Sequence, residues 1–220
     1  FYKLSRLKVN TLDFMEIINK KSVKEIIKTS LKNSFSYDDY KELVKRLVQE
    51  ESTIGEQKIE VLANYTKLNH RRMKRWDKTL KIGDKQVNEI GQYDKKVTWL
   101  VLTESWCGDA ANIIPVINQV TSLNNLIDFK VVLRDENLEL MNSFLTNGNQ
   151  SIPIMIAIDN ETGEVVSTYG PRPSDATELV NKYKQKHDKL TPEFKEDLQR
   201  WYNKDKGQNT LDDLIKLLGH

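Results

Sequence analysis

The run Val97–Thr103, Val-Thr-Trp-Leu-Val-Leu-Thr, constrains the fold of this chain more than any other segment. Its nearly continuous apolar and β-branched side chains are typical of a strand that is buried on both faces in a parallel sheet. A turn at Gly108 follows, and then a helical stretch whose apolar residues are Ile113, Ile114, Val116, Ile117 and Val120. A buried strand that leads directly into an apolar helix predicts an α/β fold.

Cys107 stands between this strand and this helix and is the only cysteine in the chain. At the start of a helix, unpaired backbone amides and the helix dipole favour an anion, which lowers the pKa of a thiol from about 8.5. The carboxylate of Asp109 opposes this effect because it repels a thiolate. The residues alone leave the sign of the net shift open. They also leave open a second interpretation, in which Cys107 is a small apolar residue of the core.

Two segments resemble the thioredoxin family. Trp106–Ala110, Trp-Cys-Gly-Asp-Ala, is similar to the Trp-Cys-Gly-Pro-Cys active-site segment, and most closely to divergent bacterial members that carry Trp-Cys-Gly-Asp. Ser151–Ile156, Ser-Ile-Pro-Ile-Met-Ile, resembles the loop and strand of the family's cis-proline. The resemblance implies that Pro153 packs beside the sulfur of Cys107 and that the backbone of Ile152 pairs with bound substrate.

The resemblance extends over residues 97–186. Asp159–Glu164 is a turn sequence between two apolar stretches and predicts a hairpin. Gly170 ends the second of these strands, as a glycine does in thioredoxins, and Pro115 stands inside the predicted helix, where the family also has a proline. The implied fold class is α/β, a thioredoxin-like fold with a central mixed sheet flanked by helices.

Two departures from the family's pattern affect the same half of its reaction. Ala110 stands where the family has its resolving cysteine, so this motif cannot form an internal disulfide. Val101 occupies the position of the buried acid that, in thioredoxins, helps to move protons while a mixed disulfide is resolved. Attack by one thiolate on a disulfide stays chemically open, because it requires only Cys107, a helix terminus and a docking loop.

The remaining residues of the candidate site come from this resemblance and from their positions. The substrate groove is expected to consist of Trp106, Gly108, Asp109, Ile152 and Pro153. Gly108 would let a substrate backbone approach closely. Glu104, three residues before Cys107, has two interpretations: a proton acceptor for the thiol, or a solvated loop acid.

The composition narrows the class of protein. A chain of 220 residues with 38% hydrophobic residues can bury a core, and a single cysteine excludes an intrachain disulfide framework. A net charge of +2 gives no reason to expect nucleic acid or an acidic membrane as a partner. No run of about 18 apolar residues occurs, so no membrane span is predicted.

Location and cofactors are predicted from what the chain lacks. Phe1–Asn10 is basic but has no apolar core after it, which is not typical of a secretory signal, so we expect a cytoplasmic protein. His70, His187 and His220 have no spacing typical of metal ligands, so no metal site is expected. The chain has no glycine-rich phosphate loop, and no cofactor is expected.

Helical periodicity precedes the segment that resembles thioredoxin. Apolar residues recur at spacings of three and four over residues 12–31, 38–50 and 56–80, which predicts three helices. Ser36, with Asp39 three residues later, is typical of a helix start. We expect these helices to pack on the core or on one another.

Two further helices are predicted after that segment. Thr191, followed by Pro192, is typical of a helix start and predicts a helix that continues through Trp201. Thr210, with Asp213 three residues later, predicts the start of the last helix. Its inward-facing residues would be Leu211, Leu214, Ile215 and Leu218.

These patterns divide the chain into three parts. The first is an N-terminal helical region, and the second is a thioredoxin-like domain. The third is a C-terminal helical extension that enlarges the same domain. The predicted bounds are 1–95, 96–187 and 188–220.

The third N-terminal helix carries a basic stretch, which consists of His70, Arg71, Arg72, Lys74, Arg75 and Lys78. One interpretation is an electrostatic site for an anionic ligand, such as a glutathione carboxylate, a phosphate or nucleic acid. The other is a solvated helix face whose charges balance acidic neighbours. The sequence favours the second, and the first remains a hint of a partner surface.

Three functional hypotheses follow. The leading one is monothiol thiol-disulfide exchange, in which Cys107 attacks a disulfide and an external thiol releases it; the partner would be a protein disulfide or a glutathione-like low-molecular-weight thiol. The alternative is a redox-inactive thioredoxin-like module that binds proteins through the same groove. In the third, the N-terminal helices bind a partner or a second copy of the chain and the redox face is vestigial.

Overall fold

The computed structural model describes residues 21–53 and 60–219 of the chain. Several expectations fall outside these residues. They concern Phe1–Asn10, the first part of the predicted helix over 12–31, the beginning of the predicted helix over 56–80, and His220.

A mixed β-sheet forms the centre of the described part. Its strands are β1 (Val97–Thr103), β2 (Ile127–Leu133), β3 (Ile154–Asp159) and β4 (Val165–Tyr169). They lie in the order β2-β1-β3-β4. β1 runs parallel to β2 and antiparallel to β3, which in turn pairs antiparallel with β4. Every residue of β1 is buried, so the predicted two-sided burial of this strand is confirmed.

Helices flank this sheet. Those before it are α1 (Val23–Leu31), α2 (Tyr37–Gln49), α3 (Glu60–Thr79) and α4 (Asp84–Gly91). Those between and after the strands are α5 (Gly108–Ser122), α6 (Leu138–Ser143), α7 (Ser174–Lys184), α8 (Pro192–Asp205) and α9 (Gln208–Leu217). The thioredoxin-like α/β fold class is thereby confirmed. Among residues 21–53 and 60–219, no helix is both long enough and apolar enough to cross a membrane.

The helix starts and the hairpin follow from local chemistry. The Ser36 hydroxyl accepts a hydrogen bond from the amide of Asp39 at 3.1 Å, which caps α2 as predicted. The Thr191 hydroxyl accepts one from the amide of Phe194 at 3.3 Å and caps α8. In the turn between β3 and β4, the Asp159 carboxylate accepts from the amide of Thr162 at 2.7 Å.

The N-terminal helices pack directly on the sheet and on α5. The amide of Phe35, just before α2, donates to the carbonyl of Val131 in β2 at 2.8 Å. On α3, the indole of Trp76 donates to the Asn112 side chain of α5 at 2.9 Å. Buried residues from the N-terminal helices, the sheet and the C-terminal helices form one hydrophobic cluster. The helices at both ends therefore share the core of the sheet.

The structure differs from the sequence prediction in several elements. Strand β2 and helices α6 and α7 were not predicted. α4 is absent from the sequence prediction, although Gly83 and Gln86 form its start: the Gln86 side chain accepts from the Gly83 amide at 2.9 Å. The last helix begins at Gln208 and not at Thr210. The reason is a left-handed backbone at Lys206 and Gly207, with φ of 58° and 80°, which turns the chain directly from α8 into α9. α8 accordingly continues to Asp205.

We predict that Leu211→Ala lowers the free energy of unfolding by about 2–5 kcal/mol, because Leu211 is 0% exposed and its loss leaves a cavity under α9. Urea unfolding followed by circular dichroism measures this. Val166→Ala on β4 is the control: Val166 is 56% exposed, and the expected change is within about 0.5 kcal/mol. A first, separate transition that affects only part of the helical signal would contradict a shared core.

Candidate active site

Cys107 occupies the junction between β1 and α5. It is the N-cap residue of α5, with extended backbone angles, and its carbonyl accepts from the amide of Ala111 at 3.2 Å. Its own amide donates to the carbonyl of Glu104 at 3.1 Å, which closes the turn after β1. The predicted position of the thiol at a strand-to-helix junction is confirmed.

The loop before β3 lies against the sulfur. The Cys107 thiol donates a hydrogen bond to the carbonyl of Ile152 at 3.3 Å, and the Ile152–Pro153 peptide bond is cis. The two segments are far apart in sequence, and they meet because β1 and β3 are antiparallel neighbours. The end of β1 therefore lies beside the start of β3, where Leu102 pairs with Ile154.

Gly170 supports this loop from the other side. A Cβ atom on Gly170 would lie 2.3 Å from the carbonyl oxygen of Pro153, and the backbone φ of Gly170 is +120°. Both facts require glycine, because a side chain would collide with the proline loop in a backbone conformation that other residues rarely adopt. This close approach also brings Arg172, two residues later, to the site.

Asp109 is held by two long-range partners. One carboxylate oxygen pairs with the Arg172 guanidinium at 2.7 Å, and the other accepts from the Tyr202 hydroxyl of α8 at 2.9 Å. Burial raises the pKa of the Asp109 carboxyl, and Arg172 and Tyr202 oppose that shift. The oxygens of Asp109, a predicted groove residue, join the start of α5 to α8 and to the loop after β4.

Burial decides the sign of the shift in the thiol's pKa. Cys107 is 7% exposed, and burial, reinforced by the charge of Asp109, raises the pKa of its thiol to about 12. The amides of Asp109 and Ala110 and the charge of Arg172 act in the opposite direction but are weaker. At rest the sulfur is therefore a neutral thiol, as its hydrogen bond to Ile152 requires.

Glu104 faces the protein interior, so its interpretation as a solvated loop acid is wrong. It is 0% exposed, and burial raises the pKa of its carboxyl to about 7. One carboxylate oxygen accepts from the amide of Asp135, after β2, at 3.0 Å. The other is buried and has no hydrogen-bond partner among the described residues. A buried carboxyl that keeps one oxygen unused is poised to gain and lose a proton near neutral pH.

Tyr40 of α2 joins the two buried groups. Its ring is buried, and burial raises the pKa of its hydroxyl far above the usual value, while the side chain of Thr103 opposes the shift by hydrogen bonding. Cys107 and Glu104, when ionised, both raise the pKa of this hydroxyl further. Sequence reasoning placed Tyr40 only in an apolar helix stripe, and nothing in that pattern distinguished it from a core residue.

The other predicted groove residues lie around the same junction. Trp106 is half-buried and lies under the guanidinium of Arg134, which is 5.1 Å from the ring centre. Gly108 begins α5, and a Cβ atom there would lie 3.4 Å from the guanidinium of Arg72 on α3. An arginine from the N-terminal helices therefore covers the position where we expected a substrate backbone to approach.

Among residues 21–53 and 60–219, no group of three or more His, Cys, Asp or Glu side chains is placed to hold a metal ion. Sequence reasoning missed Tyr40, Arg172 and Tyr202, because each reaches the site through the tertiary fold. The one sequence feature that could have indicated Arg172 is its position two residues after Gly170.

We predict that Glu104→Gln changes the pH dependence of stability. The folded pKa of about 7 lies above the unfolded value of 4.5, so the wild type is penalised increasingly as pH rises from 4.5 through 7. Between pH 4 and pH 8, the free energy of unfolding of the variant should gain up to about 3 kcal/mol relative to the wild type. Urea unfolding at both pH values measures this. Glu136→Gln, an exposed neighbour, should show no such gain.

We predict that Asp109→Asn lowers the pKa of Cys107, because it removes a negative charge near the sulfur and leaves Arg172 unpaired. Each unit of decrease gives about tenfold more thiolate at a fixed pH below the pKa. Iodoacetamide alkylation between pH 7 and 10 measures the change, with circular dichroism as the check on folding. Asp188→Asn, an exposed substitution, is the matched control. An unchanged alkylation profile in folded Asp109→Asn protein would contradict the electrostatic account.

Comparisons with known proteins agree with this geometry. A family model described as Thioredoxin matches residues 55–187, a span that includes α3 and α4 as well as the sheet. No curated protein matches the chain. Two solved structures share the fold, each at 13% identity over 84% of this chain and 98% of theirs. They are PA1234 from Pseudomonas aeruginosa, a protein of unknown function, with a TM-score of 0.54, and an HIV epitope-scaffold, with a TM-score of 0.51.

The match covers more than half of the chain and includes Cys107, Pro153 and Gly170, the residues whose contacts form the site. The fold, this match and the contact between the thiol and the proline loop lead to one conclusion. The chain belongs to the thioredoxin family.

Proposed function

We propose that this protein catalyses thiol-disulfide exchange with a single cysteine, Cys107, and depends on an external thiol to complete the cycle. One observation carries the proposal. The sole thiol lies against the carbonyl before Pro153, and a buried carboxyl with a pKa of about 7, Glu104, stands at the same junction. A buried carboxyl that titrates near neutral pH can accept a proton from the thiol and return it to a leaving group, a function that a passive binding groove does not need.

A base is needed because the resting thiol is almost fully protonated. With a pKa of about 12 for Cys107, only about one molecule in 10⁵ carries a thiolate at pH 7. A thiolate of high pKa is intrinsically more nucleophilic, but with a Brønsted slope of about 0.4–0.5 this gain recovers less than half of the loss on a logarithmic scale. Glu104, half-ionised near pH 7, supplies an acceptor for the proton.

The exchange has two steps. In the first, the sulfur of Cys107 attacks one sulfur of a disulfide, its proton passes to the Glu104 carboxylate, and the substrate's S–S bond breaks. The departing half leaves as a thiol after taking a proton from Glu104. In the second, an external thiol attacks the substrate sulfur that is bound to Cys107. The external thiol and the substrate half leave together as a new disulfide, and the proton of the external thiol restores the Cys107 thiol. No net oxidation or reduction occurs beyond the exchange.

The residues around the junction have separate functions in this proposal. Ile152 and Pro153 offer backbone to the substrate next to the sulfur, and Trp106 forms the opposite wall of the groove. Burial, with a contribution from the charge of Asp109, keeps the resting thiol neutral. The external thiol fits a reducing compartment such as the cytoplasm, where low-molecular-weight thiols are abundant.

A second candidate function is a redox-inactive module that binds proteins through the same groove. The raised pKa of the thiol favours it, because a buried neutral thiol is inert in the absence of a base. This second candidate function does not explain why one buried oxygen of Glu104 has no hydrogen-bond partner among the described residues. The two candidates differ in whether Cys107 and Glu104 are needed for turnover.

The test is an exchange assay with the mixed disulfide of glutathione and 2-mercaptoethanol, in the presence of excess reduced glutathione. We expect Cys107→Ser to abolish turnover. In the wild type, the first-step rate should rise with pH through an inflection near 7, where Glu104 ionises. Glu104→Gln should remove that inflection and lower the rate at pH 7.5 by about 10²-fold or more.

Glu136→Gln serves as the control for the loss of a nearby surface charge and should keep the wild-type profile. Turnover that survives Cys107→Ser would overturn the proposed exchange. A wild-type protein that shows no turnover, yet still binds peptides in a manner sensitive to Pro153→Ala, would establish the binding module instead.

A further inference from the structure

Two arginines, Arg172 and Arg72, lie beside the start of α5, and the charge of one carboxylate there, Asp109, acts on both. Arg172 pairs with Asp109 at 2.7 Å. Arg72, on α3, comes within 3.4 Å of the Cβ position of Gly108, and the charge of Asp109 acts on it. Among the described residues, the guanidinium beside Gly108 therefore has no ion-pair partner of its own.

Arg72 makes few polar contacts with the described residues. Its guanidinium donates to the side-chain oxygen of Asn69 at 2.9 Å, and among the described residues it makes no ion pair. The side chain is half-buried, and burial lowers the pKa of its guanidinium. Arg75, one turn away, adds like-charge repulsion. A partly desolvated guanidinium with unused donors has a strong preference for a carboxylate.

The neighbouring arginines of α3 differ from Arg72. Arg75 lies over the ring of Trp76 at 4.5 Å and donates to Asn203 of α8 at 2.8 Å, so its function is to join helices. Arg71 is exposed and faces solvent. Within the basic stretch of α3, Arg72 is therefore the arginine that lies against Gly108, the residue after Cys107.

We propose that Arg72 binds a carboxylate of a low-molecular-weight disulfide while Cys107 attacks it, so that anionic thiol compounds are the preferred substrates. This inference rests on the proposed function. Cys107 is 7% exposed, and a sulfur this deeply buried favours a small, flexible disulfide over a cystine held on a folded protein surface. The planar guanidinium selects a carboxylate by two parallel hydrogen bonds.

The reaction is the same thiol-disulfide exchange, with one constraint on how the substrate is oriented. The carboxylate on Arg72 belongs to the half of the disulfide that either joins Cys107 or departs as a thiol. In both cases, the S–S bond breaks and a Cys107–S bond forms. The arginine stays charged and transfers no proton, so it is a substrate-binding residue and Glu104 keeps the proton.

The experiment compares single-turnover rate constants for the reaction of Cys107 with two disulfides in excess. Glutathione disulfide carries carboxylates, and 2-hydroxyethyl disulfide is neutral. We expect Arg72→Gln to slow the reaction with glutathione disulfide by about tenfold or more and to leave the neutral disulfide within about twofold. Arg72→Lys should restore part of the lost rate, because it keeps the charge but not the paired donors.

Arg71→Gln is the matched control, because it removes the same charge from the same helix at an exposed position. It should leave both rate constants within about twofold, since the effect of an exposed charge is screened. Equal slowing of both disulfides by Arg72→Gln would overturn the inference and make Arg72 a structural residue. No change with either disulfide would overturn it as well.

Failure of the proposed function gives a different result. If wild-type protein reacts with neither disulfide, the exchange itself is absent and the inference falls with it. If wild-type protein reacts with both, and Arg72→Gln keeps the wild-type preference, the exchange stands and only the carboxylate site is overturned.

Discussion

The pairing of β1 with strands on both sides is the constraint on which the rest of the structure depends. β1 lies between β2 and β3, and its fully buried, mostly apolar sequence is stable only when both faces are covered by helices. The antiparallel pairing with β3 brings the end of one strand beside the start of the other. The thiol of Cys107 and the loop of Pro153 meet there as a consequence of sheet topology.

The site gains its electrostatics from elements outside this sheet. Helix α2 supplies Tyr40, α3 supplies Arg72, and α8 supplies Tyr202, which holds Asp109. Each contact removes water from the start of α5, and the loss of water outweighs the helix amides that would otherwise stabilise a thiolate. The helices at both ends of the chain thus set the chemistry of the motif as well as enlarging the core.

Glu104 is a buried acid at a position different from that of the family's buried acid. The position that carries the buried acid in thioredoxins holds Val101, which is buried in the core. A buried acid is nevertheless present three residues later, at the end of β1, under the loop after β2. The Glu104 carboxyl is buried without a full set of hydrogen-bond partners. For this reason it lowers stability above pH 4.5 and keeps one oxygen unpaired among the described residues.

Sequence alone predicted three of the four strands (β1, β3 and β4), the starts of α2, α5 and α8, and the position of Cys107, because these depend on local periodicity, capping chemistry and turn residues. It did not predict β2, α4, α6 or α7. It could not determine the sign of the pKa shift at Cys107, the burial of Glu104, or the partners of Asp109. Those depend on desolvation and on charges from helices distant in sequence, and only the tertiary structure brings these to the sulfur. Local sequence propensity cannot predict desolvation or these distant charges, because burial is a property of the assembled core.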